Sequence, residues 1–252
     1  MSEWQLVWSD EFEGLAGTVP DPAFWNVETG NREKNGWGNH EGQYYTQSPE
    51  NACLDGQGCL VIAAREVPED ERGGLPRWDG GDCRYTSARL STRGKVEFTY
   101  GKAEARLTLP HGVGLWPAFW SLAEGLWPES GEIDIMEWIG RTPDTLYATV
   151  HGPGYSGATG PQGKRPLLSP SEPHTFALIK RPYELVWQLD GADYHRLTPA
   201  DLPDAGEWVF ERPYHLLLNF AVGGDWPGPP SEDISFPQTL TADFVRLWQE
   251  VQ

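Results

Sequence analysis

Gly131-Glu132-Ile133-Asp134-Ile135-Met136-Glu137 sets three carboxylates among residues that are otherwise apolar. Isoleucines at 133 and 135 read as one face of a strand, which sends Glu132 and Asp134 to the opposite face. Glu137 has the wrong parity and in a regular strand would point into the core. One extra residue at Met136, a β-bulge, returns Glu137 to the carboxylate face. Three acids lining one groove repel one another and move their pKa values apart. A strand that carries this cost reads as a catalytic site. Two carboxylic acids flanking a scissile bond suffice for glycoside hydrolysis: one protonates the leaving oxygen, the other attacks the anomeric carbon or activates water. Calcium held by clustered carboxylates is the competing reading. Against it, no EF-hand loop pattern accompanies the acids, and the isoleucines indicate a strand.

Outward from this segment, alternation dominates. Lys95 to Tyr100 puts Val96, Phe98 and Tyr100 on one side, and Lys102 to Leu109 does the same with Ala103, Ala105, Leu107 and Leu109. Glu184 to Leu189, Asp190-Gly191, then Ala192 to Arg196 is a strand, a turn and a strand, the signature of a hairpin. Leu146 to His151 and Asp243 to Trp248 read as further strands. No window shows a capped 3.6-residue apolar period, and 29 Gly and 22 Pro interrupt any such run. The expected class is all-β, two packed antiparallel sheets forming one domain over residues 1–252. Gly152 to Gly157 and Gly223 to Gly228 read as long loops at a cleft rim.

Composition narrows the partners. With 37 acidic against 19 basic residues the formal charge is −18, which argues against nucleic acid or anionic lipid and suits a neutral ligand and a monomer. No apolar stretch of about 18 residues exists to span a membrane. Thirteen tryptophans exceed what packing usually requires, and indole faces are natural platforms for the C–H faces of sugar rings. Three cysteines make no disulfide framework. Cys53 and Cys59 flank a hairpin turn that could set them across two strands from each other, and the odd count leaves at least one thiol free. The six histidines show no HExxH spacing, and neither a GxSxG elbow nor a P-loop occurs.

Glu132-Ile-Asp-Ile-Met-Glu137 matches the ExDxxE signature of glycoside hydrolase family 16, and the chain resembles the family's laminarinases over almost its full length. Other segments follow in the family's order: Trp8 to Phe12, Gly36 to Thr46, Tyr85 to Leu90, Leu115 to Trp120, His151-Gly152-Pro153 and Asp243 to Arg246. The resemblance implies a β-jelly-roll sandwich with a concave substrate cleft. It implies retaining endo-hydrolysis of β-1,3-glucan, with Glu132 as nucleophile, Glu137 as general acid/base and Asp134 assisting Glu132. Within the family the bulged ExDxxE form accompanies laminarinases and agarases, the unbulged ExDxE form lichenases and xyloglucan transferases.

Carried over by position, Trp116 and Trp120 form the sugar platform, while Asn39 and Glu41 bind hydroxyls towards the non-reducing side and Arg89 does so near the centre. His151 lies past the cleavage point, and Asn219, an amide on an apolar strand, is expected in the cleft. Arg89 has an alternative reading as the structural partner of an acid. His40 stands where the family usually has Asn, and Trp138 where Tyr is common. No catalytic cofactor is implied; a structural Ca2+ is, at Glu11, Gly58 and Asp243, through backbone oxygens and the Asp243 carboxylate. The N-terminus, Met1-Ser2-Glu3-Trp4, lacks a basic apolar leader, so either the protein stays in the cell or the sequence starts at the mature domain; the expectation is a secreted or extracellular enzyme. The rival from another class is a non-catalytic β-glucan-binding module, which would keep the tryptophans but could lose an acid. Lichenase is disfavoured by the bulged motif, and galactan enzymes by the charge of −18, which suits sulfated substrates poorly.

Overall fold

A computed structural model describes residues 3–251. Two sheets face each other across the apolar core. The sheet that carries the acids runs, in spatial order, Gln162–Pro166, Thr145–His151, Glu132–Trp138, Leu115–Ala123, Tyr214–Val222, Arg89–Ser91 and Asn26–Glu28. The short strand Glu97–Phe98 pairs with Tyr214–Val222 as well. The other sheet runs Ala192–Leu197, Glu184–Leu189, His174–Arg181, Gly101–Thr108, Gln238–Val251, Leu60–Glu66, Tyr85–Ser87 and Gln43–Tyr45. Glu3–Asp10 adds to Gln238–Val251 and Ala52–Leu54 to Leu60–Glu66. Pairing is antiparallel except between Gln43–Tyr45 and Tyr85–Ser87. These are the two packed antiparallel sheets expected from the alternation, in the jelly-roll arrangement that the resemblance implies.

The period-2 pattern explains the layers. Ala103, Ala105 and Leu107 are fully buried from one sheet, and Leu216, Leu218 and Phe220 are fully buried from the other, all within one core. Each large aliphatic or aromatic side chain so buried contributes about 1.5–3 kcal/mol. The 184–196 hairpin forms as the Asp-Gly turn requires, with Asp190 at φ 50°. Among the described residues, helix is confined to single short turns such as Gly157–Thr159.

Two expectations change, and the place of Trp138 is decided. The strand expected over Lys95–Tyr100 shortens to Glu97–Phe98, and Tyr100 stays 42% exposed. A turn in which Lys95 N–H bonds Thr92 C=O ends the alternation on its N-terminal side. Cys53 lies opposite Val61 rather than Cys59, and all three thiols are free. Trp138 is fully buried, its indole N–H given to the Pro143 carbonyl at 2.9 Å, so it packs in the core.

Candidate active site

The acid strand slips register once. Towards Thr145–His151 the partners jump from Asp134–Thr149 to Glu137–Tyr147, one residue too many on the acid side. Towards Leu115–Ala123, Met136 lies opposite Phe119 and Asp134 opposite Trp120, which leaves Ile135 as the extra residue. The bulge is therefore present, one position earlier than the parity argument placed it. Ile135 and Met136 both go into the core, and Glu137 emerges on the face of Glu132 and Asp134. Gly131 starts the strand at φ +87°, and a Cβ there would stand 2.2 Å from the Tyr214 hydroxyl, so only glycine fits.

The three acids line one cleft of about 510 Å³ together with Asn39, Glu41, Arg89, Trp116, Trp120, His151 and Asn219. Every binding residue expected from the resemblance thus faces the same groove. Tryptophans at both ends of the acid row act as donors. Trp127 gives its indole N–H to Glu132 Oε2 at 2.6 Å, and Trp116 gives its own to Glu137 Oε1 at 3.2 Å. Thr149 Oγ1 donates to the other oxygen of Glu137 at 3.2 Å. His151 Nε2 stands 3.3 Å from Asp134 Oδ2 and 3.9 Å from Glu132 Oε1. That imidazole is out of hydrogen-bond alignment: Asp134 Oδ2 and His151 Nδ1 are both buried without a hydrogen-bond partner. A buried, unsatisfied carboxylate oxygen in a cleft is a place for a ligand hydroxyl.

Electrostatics follow from crowding in a dry groove. Burial first, then the Asp134 charge, pushes Glu132 up to about 8, against the pull of His151 and the Trp127 N–H. Burial likewise raises Asp134. Glu137 rises well above the usual carboxylate range, because burial and the Asp134 and Glu132 charges outweigh His151 and Thr149. Fewer than three negative charges therefore reside on the three acids near neutrality.

The remaining groups are fastened by one another. The Arg89 guanidinium lies 4.7 Å from the ring centroids of both Trp37 and Trp120 and bonds Glu28 at 2.5 Å. Both readings of Arg89 hold at once: it faces the cleft and it partners an acid. Asn219 accepts the Trp120 N–H at 2.7 Å and donates to Tyr45 Oη at 3.1 Å, which sets the plane of the Trp120 platform. Glu41 accepts from Gln43 at 2.6 Å, Tyr45 at 3.2 Å and Asn39 at 3.3 Å, and burial holds its carboxyl above the usual range. The Gly223–Gly228 loop does form the rim. Trp226 packs edge-on against Trp116 and Tyr147, with centroids 5.3 and 5.0 Å away. His40 bonds Asp225 of that loop at 2.8 Å and stacks on Trp78, so it clasps two loops.

Trp127, Trp37, Glu28 and Thr149 were not singled out by the sequence. Trp127 sits in a turn with no periodicity, and its place four residues before Gly131 of the Gly-Glu-Ile-Asp run was the available signal.

The residues expected to hold calcium lie inside the other sheet, where Gln238–Val251 passes from the Ala242–Leu60 pairing to the Val245–Asp10 pairing. Asp243 is the residue at which Gln238–Val251 slips against Gly101–Thr108, and its Oδ1 is 3.7 Å from the thiol of Cys59, next to Gly58. Arg106 faces its other oxygen at 3.3 Å. Both carboxylate oxygens of Glu11 are taken by Arg246 at 2.8 Å, so Glu11 is left with its backbone carbonyl. The donor set that fits an ion here is backbone oxygen plus the Asp243 carboxylate.

The sequence profile "Glycosyl hydrolases family 16" matches residues 39–241. A β-glucanase of Rhodothermus marinus is 40% identical over 264 residues, covering 99% of this chain and 86% of the relative. The X-ray structure of an endo-β-1,3-glucanase from Pyrococcus furiosus superposes with a TM-score of 0.90 at 40% identity, covering 100% of this chain and 96% of that one. The laminarinase catalytic domain of Thermotoga maritima gives 0.88 at 43% identity, covering 99% and 100%. The chain belongs to glycosyl hydrolase family 16.

Proposed function

We propose that this chain is a retaining endo-β-1,3-glucanase that cleaves laminarin-type glucans, with Glu132 as nucleophile and Glu137 as general acid/base. The observation that carries the reading is the bulge at Ile135, which turns Glu137 into the cleft beside Glu132 and Asp134. In the first step the Glu132 carboxylate forms a bond to the anomeric carbon. The glycosidic C–O bond breaks, and the Glu137 proton goes to the leaving oxygen. Burial and two neighbouring acids keep Glu137 protonated near neutrality, as that role needs. Once Glu132 is esterified its charge is gone and the pKa of Glu137 falls. The same side chain then accepts a proton from the water that releases the sugar with its configuration retained. Asp134 shares a proton with Glu132: the proton lies on Glu132 in the resting site and passes to the Asp134 carboxylate as Glu132 attacks, which leaves the nucleophile ionised.

The open cleft, bounded by the Trp116, Trp120 and Trp226 indoles, suits internal cleavage of a chain rather than capture of its end. A side activity on mixed-linkage β-1,3-1,4-glucan is part of the proposal. So is action outside the cell, since polymeric substrates do not cross membranes, and so is a monomeric state. A structural Ca2+ is proposed at Glu11, Gly58 and Asp243. It is supported by the Asp243 bulge meeting the Gly58 turn, and it requires Arg106 to leave the Asp243 carboxylate.

The deciding experiment is product analysis on laminarin, curdlan, lichenan and agarose side by side, with Glu132→Ala and Glu137→Ala in parallel. Laminarin cut to a ladder of oligosaccharides by the wild type, and by neither variant, is expected. Preferential cleavage of lichenan or agarose, or near-normal turnover in either variant, overturns the assignment.

A further inference from the structure

The register slip between Asp134 and Glu137 has a consequence for the backbone. A bulge disrupts the ladder locally, and a buried carbonyl there must find a donor elsewhere. The carbonyl oxygen of Asp134 accepts a 2.8 Å hydrogen bond from Nε1 of Trp187. Trp187 belongs to Glu184–Leu189 in the opposite sheet and is fully buried, so the bond crosses the sandwich core from behind the acid strand. The indole is itself wedged. It lies against the His195 imidazole with centroids 4.9 Å apart, and His195 fills the space over Gly163, where a Cβ would come within 2.3 Å of its ring. Gly163 pairs with Ala148, the neighbour of the Thr149 that donates to Glu137.

We infer that Trp187 is a positioning residue: its N–H pins the bulged backbone at Asp134 and thereby sets where Glu137 emerges in the cleft. It touches no substrate, being absent from the cleft wall. The inference rests on the glucanase reading above. Without the N–H nothing holds the extra residue in the ladder, and loss of the bulge, a one-residue change of register beyond Asp134, carries Glu137 to the opposite face.

The test uses the full chain with Trp187→Phe and Trp187→Tyr, both lacking the indole N–H, beside Trp25→Phe. Trp25 is a buried tryptophan whose N–H goes instead to Asp10 at 2.8 Å, and it lines no part of the cleft. On laminarin, kcat of the Trp187 variants is expected to fall at least tenfold with KM within twofold. The basic limb of their pH profile, which reports Glu137, is expected to move. Trp25→Phe lowers the Tm while kcat and pH profile stay as in the wild type. A folded Trp187 variant with a lowered Tm, wild-type kcat and an unmoved basic limb overturns the inference. Failure of both Trp187 variants to fold overturns it too, because Trp187 is then simply structural. Absence of laminarin hydrolysis in the wild type and in Trp25→Phe is a different result, which sinks the glucanase reading itself.

Discussion

Trp127 gives its indole N–H to Glu132 Oε2 at 2.6 Å from the turn that precedes the acid strand. The bond favours the ionised carboxylate and opposes the burial and Asp134 charge that push Glu132 up to about 8. A nucleophile reacts only when ionised, so this pKa shapes the acid limb of kcat/KM. Hydrogen bonds to charged groups are worth about 1.5–3 kcal/mol. Because Trp127 is 44% exposed, about half a pKa unit to one unit is the expected effect. Trp127→Phe should move the acid limb to higher pH and cost several-fold in activity at pH 5, with less loss at pH 8. A profile whose acid limb stays in place removes this role from Trp127.

Glu137 should make the protein less stable as pH rises. Its folded pKa lies well above that of the unfolded chain, so the native state binds the extra proton. Stability from that proton is fully present below the unfolded value of 4.5 and is lost progressively up to the raised folded value. Glu132 adds the same sign between 4.5 and about 8. Glu137→Gln keeps a neutral side chain of the same shape at every pH. Its Tm should therefore exceed that of the wild type by more at pH 8 than at pH 5, with about 2–4 °C for each kcal/mol gained. Equal Tm differences at the two pH values would show that Glu137 carries no such strain.

The parity of Glu132, Asp134 and Glu137 was readable because strand periodicity is a local rule, and that rule demanded one extra residue. It placed the bulge at Met136 rather than Ile135 because the extra residue is defined only by partners on neighbouring strands. Asn219 betrayed itself as an amide within an apolar run, yet its partners Trp120 and Tyr45 come from two other parts of the chain. The Glu28 partner of Arg89 and the Trp187 bond to Asp134 are contacts across 61 and 53 residues, which no short-range pattern encodes. The strand expected at Lys95–Tyr100 was cut to Glu97–Phe98 because alternation describes a face and says nothing of how far a neighbour pairs along it. Cys53 and Cys59 miss each other because the Leu54–Leu60 register offsets them.

Calcium at the Asp243 bulge should be detectable without any assay of hydrolysis. An ion held by the Asp243 carboxylate and the Glu11 and Gly58 carbonyls stabilises the folded chain by mass action, and chelation reverses it. Ca2+ at a hundred times its Kd adds about 2.7 kcal/mol, or several degrees in Tm. Asp243→Ala should abolish the increment. A Tm indifferent to both calcium and chelator eliminates the metal, and Arg106 then remains the partner of Asp243.

Stereochemistry separates the two glutamates. If Glu132 is the nucleophile, Glu132→Gly leaves a space beside the anomeric carbon on the face opposite the leaving group, while Glu137 can still supply a proton. Azide is small enough to enter that space and displaces the leaving group in one inversion, so an activated β-glucoside yields an α-glycosyl azide. In Glu137→Ala the nucleophile is intact, and the glycosyl-enzyme forms from a substrate whose good leaving group needs no proton. Azide then takes the place of the water that Glu137 would have activated, and the second inversion yields a β-glycosyl azide. The anomeric proton coupling in the NMR spectrum of each product distinguishes them. A β product from Glu132→Gly would exchange the assigned roles. An α product from both variants would mean that neither carboxylate forms a covalent intermediate and that hydrolysis proceeds by single inversion.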